Sequence, residues 1–78
     1  DNLITCAVAF ADKKGIALST LGRIAANDSP FFDRLRDGRK TFTARKYDEI
    51  MEWFSCNWPE DLDWPKAIVR PQVQEPAA

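Results

Sequence analysis

The sequence predicts an all-α fold: a compact domain of four to five helices with a central helix-turn-helix and an extended C-terminal tail. Three observations predict it. Apolar residues recur at intervals of three and four in separate stretches. Helix start and stop residues bracket those stretches. Two short helical stretches, 19–26 and 30–37, lie close together in sequence, separated only by Asn27, Asp28 and Ser29. With 78 residues the chain is one domain. Its composition is 45% hydrophobic with five Phe, three Trp and one Tyr, which supplies one modest core. So short a chain buries a smaller share of its surface than a large domain does, so marginal stability is expected, and a partner subunit would help.

The first helix is expected over 2–13, where Leu3, Ile4, Ala7, Val8 and Ala11 form a stripe that Phe10 extends. Asp1 or Asn2 can cap its start, Lys13 and Lys14 suit its C-terminal dipole, and Gly15 stops it. Ile16 to Leu18 connect to a second helix, capped by Ser19 and running to about Ala26. Leu21, Ile24 and Ala25 are placed inward, and Thr20 and Arg23 outward. Gly22, Ala25 and Ala26 are small enough for close approach of another helix. Asn27-Asp28 makes a tight turn. Ser29 as cap and Pro30 at the first helical position then start a third helix, Phe31 to Asp37, that ends at Gly38. Phe32 and Leu35 face inward with Phe31 beside them, and Arg34 lies opposite.

Thr43 caps the fourth and longest helix, which runs to about Asn57 with the stripe Tyr47, Ile50, Met51, Phe54 and Trp58, and Pro59 stops it. Two features set this helix apart. Trp53 lies off the stripe. Arg45 and Lys46 occupy the first turn, where the helix dipole disfavours cations. Beyond it, Trp64, Ile68 and Val69 offer packing, and 71–78 reads as a flexible tail after a domain of residues 1–70.

Composition narrows the chemistry. The chain has no histidine, which removes the commonest general acid–base and the commonest metal ligand. Cys6 and Cys56 have no third ligand nearby, so no zinc site is expected. Cys6 in an apolar run reads as a buried thiol, with a single Cys6–Cys56 bridge as the other option. No Gly-rich phosphate loop or nucleophile–base pair stands out, so neither catalysis nor a cofactor nor a small-molecule ligand is expected. No apolar run approaches the ~20 residues that span a bilayer.

The net charge of −1 hides a strong polarity. Residues 13–46 carry nine basic side chains against three acids, a local balance of +6, whereas 47–63 hold six acids and no base. A basic middle with an acidic flank suggests one face for a polyanion and another for something else.

The segment S-T-L-G-R-I-A-A-N-D-S-P-F-F-D-R-L-R-D-G-R-K-T-F-T, Ser19 to Thr43, resembles the lambda-repressor-like helix-turn-helix DNA-binding domain family, and the resemblance extends over about Ala17 to Phe54. Phe32 to Arg39 is similar to the family's usual end of a recognition helix, and a capped helix follows, as Thr43 begins one here. The chain departs from the pattern at the turn, where Asn27-Asp28 replaces the usual small residues, and at Ser19 and Ser29, where Gln is common. The resemblance implies sequence-specific binding of double-stranded DNA. It also implies a homodimer on a pseudo-palindromic site with half-sites about 34 Å apart, repressor-like regulation of transcription, and a cytoplasmic, nucleoid-associated protein of bacterial or phage origin.

On this reading Ser29, Pro30, Phe31 and Arg34 occupy the edge that enters the major groove. Arg34 is suited to guanine and Phe31 to a thymine methyl, with a core position as the other role for Phe31. Ser19, Thr20, Arg23, Arg39, Lys40, Thr43, Arg45 and Lys46 are the candidate phosphate contacts, the Ser29 and Thr43 caps leaving backbone N–H groups for anions. Asp33 near the reading face opposes phosphate unless it accepts from cytosine or orients an arginine. The alternative is a helical protein-interaction module that uses Trp53, Trp58 and Trp64 and the acidic C-terminal half.

Overall fold

The structure, a computed structural model, describes residues 2–71. Four helices follow in chain order: α1 (Asn2–Lys14), α2 (Leu18–Ala26), α3 (Phe31–Arg36) and α4 (Ala44–Asn57), with no strand among the described residues. The expected Asp1 cap and the tail from residue 72 lie outside the described residues.

Two helices end where glycine was expected to end them. After α1, Gly15 takes φ +68°, its N–H reaches the Asp12 carbonyl at 3.3 Å, and the Ile16 N–H reaches Ala11 at 3.0 Å. After α3, Gly38 takes φ +75° with the same pair of bonds, Gly38 to Leu35 at 3.1 Å and Arg39 to Arg34 at 2.9 Å. Both are Schellman terminations, which a left-handed glycine forms without a Cβ penalty and which satisfy otherwise orphaned carbonyls. Helix α2 ends differently. Asn27 adopts the left-handed conformation (φ 54°, ψ 35°), and its N–H and that of Asp28 both turn back to the Gly22 carbonyl. Asn tolerates this region better than most residues with a side chain.

The helix starts agree less closely with the sequence reading. Thr43 caps α4 as expected, its hydroxyl accepting from the Lys46 N–H at 3.1 Å. Ser19 does not cap α2, which starts a residue earlier behind an extended Ala17. Nor does Ser29 cap α3. Ser29 and Pro30 are the centre of a turn closed by the Phe31 N–H on the Asp28 carbonyl (3.0 Å), and the Pro30 carbonyl accepts the first helical bond from Arg34 (2.9 Å). No fifth helix follows α4 among the described residues.

The core lies where α1 meets the other three helices. Leu3, Cys6 and Phe10 of α1 close on Leu21 of α2, Phe31 and Phe32 of α3, and Ile50, Met51 and Phe54 of α4, all buried. The Phe54 ring is the hub. Its centroid lies 5.8 Å from Phe10, 6.1 Å from Phe32, 5.6 Å from Trp53 and 6.0 Å from Trp58. Two positions expected inside are half exposed, Val8 at 47% and Ile24 at 53%. The inner faces are narrower than the predicted stripes: on α1 the buried Cys6 matches its expected place, and on α2 Gly22 and Ala26 lie inside where Ile24 does not.

The stretch after α4 folds back over it without regular structure. Trp58 donates its indole N–H to the Leu62 carbonyl at 2.8 Å, and Trp64 donates to Ile68 at 2.9 Å. Arg70 stacks over Trp64 and donates to both the hydroxyl and the carbonyl of Ser55. The Ser55 hydroxyl donates in turn to the Pro71 carbonyl. These bonds tie residues 58–71 to the end of α4.

Gly22 sits where α2 meets the connection to α3. A Cβ there would stand 2.6 Å from the Asp28 carbonyl oxygen and 2.9 Å from that of Ser29. Helix propensity alone favours Ala over Gly by about 1 kcal/mol. The two backbone oxygens cannot swing aside as a flexible side chain would, so the clash wins. Gly22→Ala is expected to destabilise the protein by about 1–3 kcal/mol in urea unfolding, and a stabilised variant would show that the connection yields freely.

Both cysteines are free, Cys6 buried and Cys56 exposed. Burial pushes the Cys6 thiol up from 9.0 to about 11. The folded state therefore holds its proton in a range where the unfolded chain releases it. This contribution to stability is complete below pH 9 and is lost as the pH rises towards about 11. Urea midpoints should fall across that window in the wild type and fall less in Cys6→Ala. A thiol reagent at neutral pH should modify Cys56 alone until the protein unfolds.

Candidate nucleic-acid interface

Helix α3 is six residues long and held from one side. Phe31 and Phe32 are buried edge-to-face at 5.2 Å, and Leu35 packs partly against the core. At ~100° per residue this leaves Asp33 and Arg34 on the outer side with Arg36 at its flank. Asp33 is not a bare obstacle to an anion, because Arg36 binds it at 3.1 Å. Arg34 is exposed and has no acidic partner among the described residues. Arg23 on α2 is likewise exposed and unpaired there. Phe31, at 1% exposure, is a core residue, so the base contact expected of it is withdrawn.

The other candidate bases differ in how far they are engaged. Arg39 is exposed and pairs with Asp37 at 3.2 Å. Arg45 pairs with Glu49 one turn on at 3.5 Å and keeps 90% of its side chain in solvent. Such exposed pairs are worth little and exchange readily for another anion. Lys40 and Lys46 are half-buried and engaged within the protein. Lys40 lies 3.2 Å from the Asp28 carboxylate and 5.5 Å over the Phe31 ring. Lys46 donates to the Ala26 carbonyl at 3.3 Å in a partly buried setting. Both lysines line an open cleft of about 370 Å³ with Asp28, Phe31 and Phe42. Ser19 and Thr43 are exposed, Thr20 and Pro30 are half-buried, and Ser29 is exposed in the turn.

The three tryptophans offered as a partner surface are mostly absorbed by the fold. Trp58 is 8% exposed and belongs to the core, so it is withdrawn as an interface residue. Trp64 packs edge-on against Trp58 at 4.8 Å under the Arg70 guanidinium. Trp53 is half-buried. It packs on Phe10 at 5.3 Å and shares a shallow groove of about 330 Å³ with Lys14, Ile16, Ile24 and Asn57. Sequence reasoning missed this groove because Ile24 was assigned to the core. It also missed Asp28 and the Ala26 carbonyl as partners for Lys40 and Lys46. The one signal for the second was the misplaced cation in the first turn of α4.

Among the described residues no charged side chain is buried, and no three metal-ligating side chains gather. No helix there is long and apolar enough to cross a membrane. No protein-family model matches the chain, and neither a curated protein nor a solved structure matches it.

Because Arg23 and Arg34 project from the surface without partners, their loss should cost the fold little. Arg23→Ala and Arg34→Ala are each expected to keep the unfolding free energy within about 0.5 kcal/mol of wild type, as read by urea denaturation. A larger loss would mean that the side chain packs.

Proposed function

We propose that the chain binds double-stranded DNA through a helix-turn-helix formed by α2 and α3. In this reading it is a sequence-specific, repressor-like regulator of transcription that acts as a homodimer on a pseudo-palindromic site. The observation that carries the reading is Arg34: an exposed guanidinium, unpaired among the described residues, on the outer side of a helix whose inner side is locked by two buried phenylalanines. A guanidinium presented this way suits the bidentate donor pattern that guanine accepts in the major groove. Ser29 and Pro30 precede it at the leading edge of α3. Arg23, Arg39 and Arg45, with the hydroxyls of Ser19, Thr20 and Thr43, are the phosphate contacts on this reading. Arg39 and Arg45 leave only weak surface pairs to reach DNA.

One observation favours a second reading. The groove at Trp53 exposes Ile24 beside Phe10 and Ile16, and an apolar groove of this kind suits a protein partner. The two surfaces are compatible in one protein.

Fluorescence anisotropy on random duplex DNA, with salt as the variable, tests the first reading. Binding should weaken steeply with salt, with a log–log slope of about −4 or steeper for four or more phosphates. Arg34→Ala combined with Arg45→Ala should weaken it further. Absence of binding at low salt would end the DNA reading and leave the Trp53 groove as the functional surface.

A further inference from the structure

The anomaly in α4 leads to a division of labour among the basic residues. Lys46 sits in the first turn of that helix, where its own dipole repels it. Its ammonium reaches across to the Ala26 carbonyl, at the C-terminal, negative end of α2. The carbonyls of the last turn of a helix have no intrahelical donor, and the turned-back N–H groups of Asn27 and Asp28 both go to Gly22. Lys46 thus supplies the donor that Ala26 lacks. Lys40 acts on the same connection from the loop after α3. It holds the Asp28 carboxylate at 3.2 Å and lies over the ring of Phe31, the first residue of α3. The two lysines therefore grip the connection 27–30 at both ends, and Gly22 lets that connection lie flat against α2.

We propose that Lys40 and Lys46 are positioning residues that clamp the connection between α2 and α3 and so fix how α3 presents Arg34, and that they are not phosphate contacts. The assignment of what is presented rests on the DNA-binding reading. The clamp itself does not. A lysine whose ammonium is held on a carbonyl or a carboxylate of its own protein neutralises no phosphate, so it displaces no counterion from DNA and adds nothing to the salt slope.

Two measurements on the same variants test this. In the free protein, amide hydrogen exchange reads the clamp without DNA. Lys46→Met should speed exchange at Asp28 and Phe31 about three- to tenfold, the worth of one hydrogen bond. Amides in the middle of α1 should change less, and Lys46→Arg should restore the wild-type pattern. Lys40→Met should speed the same amides, and it carries the test if Lys46→Met does not fold. In anisotropy titrations Lys46→Met should weaken DNA binding about three- to tenfold with the salt slope unchanged, whereas Arg45→Met should reduce that slope by about 0.9. A slope that falls by about one in Lys46→Met would make Lys46 a phosphate contact and overturn the proposal. Exchange that rises equally at every amide would overturn it as well. Wild-type protein that binds no duplex at low salt refutes the DNA reading alone, and the exchange data then decide the clamp by themselves.

Discussion

The ring of Phe54 is the contact on which the rest of the structure depends. It is completely buried and meets Phe10 from α1, Phe32 from α3, its neighbour Trp53 and Trp58 from the following stretch. Each such aromatic pair adds about 0.5–1.5 kcal/mol beyond burial. The described residues form one core cluster, with no second one to fall back on. Through Phe32 this cluster sets which side of α3 is inside. The outward direction of Arg34 is therefore a consequence of how four rings pack around a fifth.

A second constraint is steric. The connection after α2 passes so close to Gly22 that its carbonyls occupy the space of a Cβ. Such an approach needs a turn that reverses within few residues, and Asn27 provides it by entering the left-handed region. Glycine and asparagine thus act as a pair, one clearing the space and the other bending the chain into it. The cost of ordering a six-residue helix is met by this tight connection and by two buried phenylalanines, since a helix that short has little stability of its own.

Charge is distributed by the same logic. The acids of the basic middle are each occupied: Asp28 by Lys40, Asp33 by Arg36 and Asp37 by Arg39. The guanidinium groups of Arg23 and Arg34 remain without acids among the described residues. This leaves the outer side of α2 and α3 more basic than the net charge of −1 suggests. The acidic run 47–63 keeps its charge in solvent, apart from Glu49 on Arg45 and Asp61 on Lys13, whose 2.8 Å hydrogen bond holds the Asp61 carboxyl below its ordinary value.

Sequence alone determined the helical class, the order of the helices and most of their ends. The signals for these are local: Gly15 and Gly38 take positive φ and stop α1 and α3, and the Thr43 hydroxyl caps the backbone three residues on. The inner faces of α1, α3 and α4 were also largely legible, because periodicity reports a stripe directly. Tertiary structure decided what local signals do not encode. Ser19 and Ser29 are good caps by type, yet α2 starts behind Ala17 and α3 behind Pro30, so neither serine stands at the cap position. Ile24 has the chemistry of a core residue, but the core is filled before its side of α2 is reached. Phe31 and Trp58 were open candidates for contact with a partner until packing closed over them. Lys40 and Lys46 look like any surface lysine in sequence. Their partners lie 12 and 20 residues away, and only the folded chain brings an ammonium to a carboxylate or to the last carbonyl of a neighbouring helix.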